Sequence, residues 1–378
     1  MSIGACIAWA TLFWWPQCAA VHRTVVAHDG HFRSRLAVVT PSFITHIGQW
    51  AGFLQTIARS HEDDCSFSDV VYFTVVSSDE EKAAFEKRLP INQGNSLTRN
   101  HFQSGETPRR FQIMTLDEVL ISVRASEYLR AKVRVLESKM ERAPEPNDKN
   151  ILQSFKKMFG CLAAHGLHVD DPIAARGDIC FAADSESRLL RNSICHLTTE
   201  YLKKKTVLTA PLNESSSLHI KVQEESRRLL GNKRGADFGE FYACESYHWF
   251  WEVPLVQEFI QETALVSTVP QGHIFIEETY NHFLFPRRDV WGYNFVDLHG
   301  MMKEIVGPDK FEQMLHMRPF MAPEETICAH LGALSDDEVH RLGRAFQDLG
   351  VRLMRCDFVQ SPDKCQILQT YKDICISG

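Results

Sequence analysis

The sequence predicts an α/β fold in which helices cover a mixed, mainly parallel sheet, and three successive segments carry this prediction. Residues 36–40 and 70–76 are short, nearly continuous runs of apolar and β-branched residues, which is the pattern of buried strands. Between them, residues 47–57 repeat apolar side chains at intervals of three and four, as a helix packed on a sheet does. A strand, a helix and a second strand in this order open a parallel sheet covered by helices.

Later segments extend the same architecture. Further strands are predicted over residues 111–114, 178–183, 206–209 and 273–276, and further helices over residues 117–143, 150–165, 254–265 and 336–349. In the helix at 150–165, the stripe that is expected to be buried consists of Leu152, Phe155, Phe159 and Leu162. The run at residues 143–148 contains two prolines and is predicted to be a linker.

The composition is that of an ordinary folded domain. The chain has 378 residues, of which 44% are hydrophobic and 24% are charged, so a sizeable core can be buried. Residues 25–378 are accordingly assigned to one large domain. The net charge of −7 argues against a nucleic-acid-binding surface, because such surfaces carry a basic excess. A negatively charged ligand must therefore meet local lysines and arginines, or a metal ion.

Residues 1–24 are predicted to be a signal peptide or a signal anchor. The stretch from residue 3 to residue 21 has no charged side chain. Small residues near Ala20 resemble a cleavage site, whereas about 19 apolar residues also suffice to span a bilayer, so cleavage and membrane anchoring both stay open. A third alternative is an apolar element packed on the domain. Together with an N-glycosylation pattern at Asn213, the segment predicts entry into the secretory pathway, in the ER or Golgi lumen.

The eleven cysteines include no pair in the spacing CxxC, which argues against a structural zinc site. In an oxidising compartment some of them are expected to form disulfides.

The most informative chemical feature is Asp184-Ser185-Glu186, directly after the strand predicted at 178–183. Open α/β sheets bind ligands beyond the carboxyl ends of their strands. Two acids one residue apart can turn to the same side there and share a cation such as Mn²⁺ or Mg²⁺. Such a cation can bridge a diphosphate and neutralise a departing nucleotide. Alone, the pattern is also typical of a solvated turn with two surface acids.

Cationic partners for a diphosphate are expected on the preceding helix. Gln153, Lys156 and Lys157 are predicted to lie on a side that is exposed or faces a cleft. A lysine there acts as a point charge on phosphate.

This layout resembles the GT-A glycosyltransferases: an N-terminal nucleotide-binding α/β half, a lysine-bearing helix and an acidic DxD-type motif after an apolar strand. The resemblance covers Arg35 to about Glu278 and is one of layout and short motifs, at residues 153–157 and 183–187. It implies transfer of a sugar from a nucleotide diphosphate to a glycan, protein or lipid acceptor. It also implies Mn²⁺ or Mg²⁺ bound by Asp184 and Glu186, and donor binding by Gln153, Lys156, Lys157, Asp184 and Ser185. Because Glu186 stands in place of a second aspartate, the alternative that one of the two acids holds the donor ribose or a water stays open.

The family pattern further calls for acceptor-binding residues 50 to 100 positions after the acidic motif, where this chain has an aromatic and acidic run at 245–252. Aromatic faces can cover sugar rings while carboxylates bind their hydroxyls. The residues expected to bind the acceptor are Tyr247, His248, Trp249 and Trp251. Inversion and retention of the sugar configuration both stay open, and for an inverting reaction Glu245 or Glu252 is expected to be the general base. The alternative is that these aromatic residues fill the core.

Several other interpretations stay open. Residues 277–282 offer a second acidic set, and His299 or His330 could supply a third metal ligand. The cluster of His165, His168, Asp170 and Asp171 could bind zinc or iron, although a surface loop is favoured there. Finally, a non-catalytic carbohydrate-binding or scaffolding protein could keep the same fold.

Overall fold

The computed structural model describes residues 34–59, 65, 67–89, 109–142, 145–211, 217–231, 241–243, 249–263, 265, 269–270, 272–317, 330–355 and 361–376. The predicted targeting segment at 1–24 and the glycosylation pattern at Asn213 lie outside these ranges. None of the helices within them is both long enough and apolar enough to cross a membrane.

The predicted fold class is confirmed: the central sheet is mainly parallel, and helices cover it. Its five strands lie in the order β3-β2-β1-β4-β8, and β8 alone runs antiparallel to its neighbour. They are β1 (Arg35–Pro41), β2 (Asp69–Val76), β3 (Arg109–Thr115), β4 (Ile179–Ala182) and β8 (Phe250–Glu252). Two three-stranded sheets contain β5 (Ser187–Leu189), β6 (Thr206–Pro211), β7 (Phe241–Ala243), β9 (Asn294–Asp297), β10 (Leu353–Arg355) and β11 (Ile374–Ile376).

Helices connect and cover these strands. In chain order they are α1 (Ile47–Arg59), α2 (Asp79–Arg88), α3 (Leu116–Ser122), α4 (Glu127–Arg142), α5 (Pro146–Ala164), α6 (Ile194–Lys204), α7 (Ser217–Leu229), α8 (Val253–Glu262), α9 (Ile276–Leu284), α10 (Arg288–Trp291), α11 (Leu298–Val306), α12 (Pro308–Met317), α13 (Asp336–Asp348) and α14 (Pro362–Gln369).

The strand order reverses between β1 and β4. From β1 the chain proceeds through α1 to β2 and then to β3 on one side, whereas β4 returns to the other side of β1. The register pairs Val39 with Ala182, so these two strands reach the same sheet edge together. In open α/β sheets, such a switch point opens a crevice at the carboxyl ends of the strands.

Helix α5 packs closely on β1 and β2, and Gly160 makes this approach feasible. A Cβ atom at Gly160 would lie 2.9 Å from Val39 Cγ1 and 3.0 Å from Val75 Cγ2. The stripe predicted for this helix is buried as expected, with exposures of 0–2% at Leu152, Phe155, Phe159 and Leu162. Helix α5 therefore lies directly over the two strands that lead into the crevice.

Three predicted elements are wrong in detail. Residues 273–275 are irregular and Ile276 begins α9, because the short apolar run belongs to a helical stripe rather than a strand. The expected linker is in part the first turn of α5, where Pro146 needs no hydrogen-bonded N–H. The long helix predicted from residue 117 is divided into α3 and α4 near Arg124, which has a φ of 59°.

One disulfide joins Cys65, just before β2, to Cys195 in α6, which ties the sheet to that helix.

Candidate functional site

Two loops meet at the carboxyl edge of the sheet, beside the switch point between β1 and β4. One is the β1 loop, residues 42–46, and the other is the acidic tip, Asp184-Ser185-Glu186. They are in direct contact, since Nδ1 of His46 lies 2.7 Å from Oε1 of Glu186. The imidazole and the carboxylate are both about one-fifth exposed, with values of 22% and 16%.

The acidic tip is ordered by its own hydroxyl group. Ser185 is 1% exposed, and its Oγ donates to Oε2 of Glu186 at 3.0 Å and lies 3.2 Å from Nδ1 of His46. Burial alone would raise the pKa of Glu186, but the hydrogen bond and the charge of His46 outweigh it and lower this pKa to about 2. Glu186 is therefore an anion at neutral pH.

Asp184 turns toward α5 rather than toward His46. Its Oδ1 accepts a hydrogen bond from Nε2 of Gln153 at 3.2 Å and lies 3.2 Å from Nζ of Lys157. The structure thus brings Gln153, Lys157 and Asp184 together, as the sequence predicted. It also shows that the two acids of the tip have different partners.

Lys157 is not an exposed point charge but the centre of a buried cluster. Its ammonium also pairs with Glu277 in the first turn of α9 and lies 5.2 Å from the centre of the Trp249 ring. Burial would lower the pKa of Lys157, but the charges of Asp184 and Glu277 raise it above its ordinary value. The ammonium therefore neutralises two carboxylates at once.

Lys156, the neighbouring lysine, is buried in a different direction. The sequence placed it on an exposed or cleft-facing side, whereas its exposure is 0%. Its Nζ donates to the carbonyl oxygen of Ser42 at 2.7 Å and to Oγ of Ser77 at 2.7 Å. The stem of a lysine can cross from the edge of an apolar stripe to a distant acceptor, which periodicity alone does not reveal.

The tip satisfies one requirement of a divalent cation site. No described residue donates a hydrogen bond to Oδ2 of Asp184, while Oε1 and Oε2 of Glu186 face His46 and Ser185, respectively. Magnesium is commonly held by one or two carboxylates together with substrate phosphates, so the donor set fits a hard cation that arrives with a diphosphate.

Three side chains of metal-ligating type lie close together elsewhere. Among the described residues, only His168, Asp170 and Asp171 have ligand atoms that all lie within 4.8 Å of one another. They belong to the loop between α5 and β4, at the opposite edge of the sheet, and Asp170 is exposed. This loop is distinct from the acidic tip.

The predicted acceptor residues divide into two groups. Glu245, Tyr247 and His248 lie outside the described residues. The tryptophans are 3% and 0% exposed: Trp249 lies beside Lys157, and Trp251 packs against Tyr280 in the core. Neither offers an open face to a sugar ring, so the core-filling alternative is the correct one for Trp251.

Glu252 does not lie at the site. It pairs with Ile179 at the start of β4, and the strand separates Ile179 from Ala182 by about 10 Å. Its carboxylate is ion-paired with Lys205, and the residue is 6% exposed. The expectation that Glu252 is a base beside the acidic tip is therefore wrong, because the antiparallel direction of β8 takes it to the far edge of the sheet.

Two site residues had little or no sequence signal. His46 lies in no motif, although its position after a predicted buried strand could have suggested it. Glu277 belongs to the second acidic set, and it lies in the first turn of α9, just after residues for which the sequence predicts a strand. His299, a candidate third ligand, is 1% exposed and its ring lies 5.0 Å from that of Phe311.

The sequence matches no protein-family model and no curated protein. Three solved structures to which the chain is similar are glycosyltransferases. Mouse xyloside xylosyltransferase 1, in its apo form, is 9% identical with a TM-score of 0.32 over 74% of this chain and 92% of the other. The galactosyltransferase LgtC, in complex with donor and acceptor sugar analogues, is 11% identical with a TM-score of 0.27 over 76% and 84%. Core-mannan synthase A from Aspergillus fumigatus, in its Mn/GDP form, is 6% identical with a TM-score of 0.33 over 67% and 71%. Because these TM-scores are low, the function proposed below depends on the residues of the site.

Proposed function

We propose that the chain is a glycosyltransferase of the GT-A type, which moves a sugar from a nucleotide diphosphate donor to a glycan, protein or lipid acceptor. The observation that carries this proposal is the meeting of the acidic tip with Lys157 and His46 at the switch point of a mainly parallel sheet. An anionic ligand at such a crevice needs local cations, because the chain as a whole is acidic.

In this proposal the donor diphosphate binds beside Asp184 and Lys157. Lys157 and Gln153 hold the Asp184 carboxylate in position, so the positive charge beside the diphosphate would come from the metal ion. Asp184, through Oδ2, and Glu186 would hold Mn²⁺ or Mg²⁺, which would neutralise charge on the departing nucleoside diphosphate. Glu277 keeps the Lys157 ammonium at the site while the donor is absent.

The transfer breaks the bond between the sugar C1 and the phosphate oxygen and forms a bond from C1 to an acceptor oxygen. The acceptor hydroxyl loses its proton to a base. Glu252 is excluded from this role by its position and its pairing with Lys205. Glu245 stays the predicted base, with Tyr247 and His248 as predicted acceptor contacts.

We further propose that residues 1–24 are a signal peptide or a membrane anchor and that residues 25–378 fold in the secretory pathway. The disulfide between Cys65 and Cys195 supports an oxidising compartment, and Cys375 is also disulfide-bonded. A protease-protection assay combined with a glycosidase-induced mobility shift tests this placement. An unglycosylated cytosolic product would contradict it.

The enzymatic proposal is tested by incubating the chain with a panel of UDP- and GDP-sugars, with and without Mn²⁺. The native protein is expected to release nucleotide from one donor in a metal-dependent manner, and D184A is expected to lose this activity. Equal release by both proteins would remove the acidic tip from the reaction. Glycan binding that persists in EDTA without nucleotide would instead favour the non-catalytic carbohydrate-binding alternative.

A further inference from the structure

The two adjacent lysines of α5 serve different parts of the site. Lys157 contacts the acidic tip, whereas Lys156 contacts the β1 loop from beneath. The contact of Lys156 with the Ser42 carbonyl holds the beginning of this loop. The ammonium also lies 3.7 Å from the centre of the Phe43 ring, one residue further along.

The ammonium of Lys156 has no side left for a ligand. Two of its three N–H groups are used by Ser42 and Ser77, and the ring of Phe43 covers it as a cation–π partner. Its burial is complete and lowers its pKa to about 8. Lys156 therefore cannot approach a diphosphate in this conformation.

Glu81 anchors the same loop from the other side. Its Oε1 accepts from the N–H of Ile44 at 2.7 Å, and its Oε2 accepts from the N–H of Ser77 at 2.7 Å. Glu81 and Lys156 thus join the loops that follow β1 and β2. Both act on the segment that ends at His46, the partner of Glu186.

Burying a lysine at this point is costly, and an apolar side chain of the same length would avoid that cost. The benefit of the ammonium is a defined loop conformation, because it satisfies the Ser42 carbonyl and fixes Phe43. We propose that Lys156 is a positioning residue, which holds the β1 loop so that His46 stays in contact with Glu186. The effect of this positioning on donor binding rests on the function proposed above.

Hydrogen exchange measures the loop directly, because three of its amides are hydrogen-bonded: those of Ser42, Ile44 and His46. In K156M, exchange over residues 42–46 is expected to rise by about 10-fold, since a hydrogen bond from a charged donor is lost. Exchange in β4 and α9 is expected to stay unchanged. K203M, which removes an exposed lysine of α6, is the matched control, and it should leave the loop at the native exchange rate.

Binding of UDP and GDP with Mn²⁺, measured by calorimetry, adds the functional consequence. K156M is expected to weaken binding of the nucleotide that the native chain prefers by about 10-fold. If the native chain binds neither nucleotide while the loop responds as expected, the positioning role stands and the proposed donor class is wrong.

Unchanged exchange over residues 42–46 in K156M would overturn the proposal, and so would an equal rise in K203M. If K156M does not fold, S77A removes one acceptor while leaving the ammonium paired with Ser42. A smaller rise confined to the same loop is then expected, and no rise would overturn the proposal.

Discussion

Nζ of Lys157 lies 3.2 Å from Oδ1 of Asp184, so the ammonium of a helix covering the sheet neutralises the first acid of the tip. The same ammonium pairs with Glu277 from α9. One buried cation thereby connects three elements that are far apart in the sequence. This arrangement explains how two carboxylates can be kept half-buried or buried, because one ammonium serves as counter-ion to both.

Replacing Lys157 by Met is expected to lower the free energy of unfolding by about 3–5 kcal/mol, because Asp184 and Glu277 lose their shared counter-ion. In the K157M background, E277Q should lower the free energy of unfolding by less than it does in the native chain. The double mutant is expected to depart from additivity by about 1–3 kcal/mol in urea unfolding.

The exposed pair of Lys203 and Glu200 provides the control, because side-chain exposure of Lys203 is 60%. K203M should change the free energy of unfolding by less than about 1 kcal/mol. Strict additivity of K157M and E277Q would show that Lys157 and Glu277 are not coupled.

Exchanging Glu252 for Gln is expected to affect stability but not activity. Lys205 loses its carboxylate partner, which should cost about 3 kcal/mol of unfolding free energy. Nucleotide release per folded molecule is expected to equal that of the native chain, because β8 places Glu252 at the opposite sheet edge from Asp184. Loss of release in a folded E252Q protein would restore Glu252 as the candidate base.

Strands β1 to β4 and the place of the acidic tip could be predicted from the sequence, because buried strands and a helical stripe leave strong local patterns, whereas β8 was not predicted. The tip also follows its strand directly, so the carboxyl-end rule applies without knowledge of the rest of the chain. Its partners could not be predicted in the same way. His46 and Ser185 are 139 positions apart, and Lys157 and Glu277 are 120 apart, so only the tertiary fold brings them together.

Sequence patterns also could not predict the directions in which neighbouring side chains point. The periodicity of apolar residues identified the buried stripe of α5. It did not reveal that Lys156 contacts the β1 loop while Lys157 contacts the acidic tip. The alternation of side chains along β8 likewise does not reveal the direction of the strand. This direction decides whether Glu252 or Trp249 lies near the tip.

Replacing Asn281 in α9 by an apolar residue is expected to stabilise the protein. It is completely buried, and its amide nitrogen and oxygen have no hydrogen-bond partner in the described part of the chain. Leucine has a similar shape and no polar atoms, so N281L should raise the free energy of unfolding by about 1–3 kcal/mol. The measurement is urea unfolding.

The control for this change is T279V on the same helix, which removes a hydrogen bond between Thr279 and Ser226 at 2.7 Å. T279V should lower stability by about 1 kcal/mol. Destabilisation by N281L would show that the buried amide makes an interaction that leucine cannot replace.

His219 is expected to make stability depend on pH. Burial lowers its pKa from 6.5 to about 4. The unfolded chain therefore binds this proton at a higher pH than the folded chain, so the contribution to stability is complete above the unfolded pKa. It is lost as the pH falls from 6.5 toward 4, by about 1.4 kcal/mol per pH unit at most.

H219Q should flatten the pH dependence of the unfolding free energy in this window. Comparing slopes avoids the separate loss of the ring contact between His219 and Tyr242. H316Q, at an exposed position of α12, should leave the slope unchanged. An identical slope in H219Q and the native chain would show that His219 does not titrate differently on unfolding.

The proposed function requires the acidic tip to bind a cation together with a nucleotide diphosphate. This requirement is tested by calorimetric titration of the native chain and of D184N with UDP and GDP, each with and without Mn²⁺. The native chain is expected to bind one nucleotide only when Mn²⁺ is present, and D184N is expected to weaken this binding by about 100-fold. Binding of equal strength in both proteins, or binding that does not depend on Mn²⁺, would contradict it.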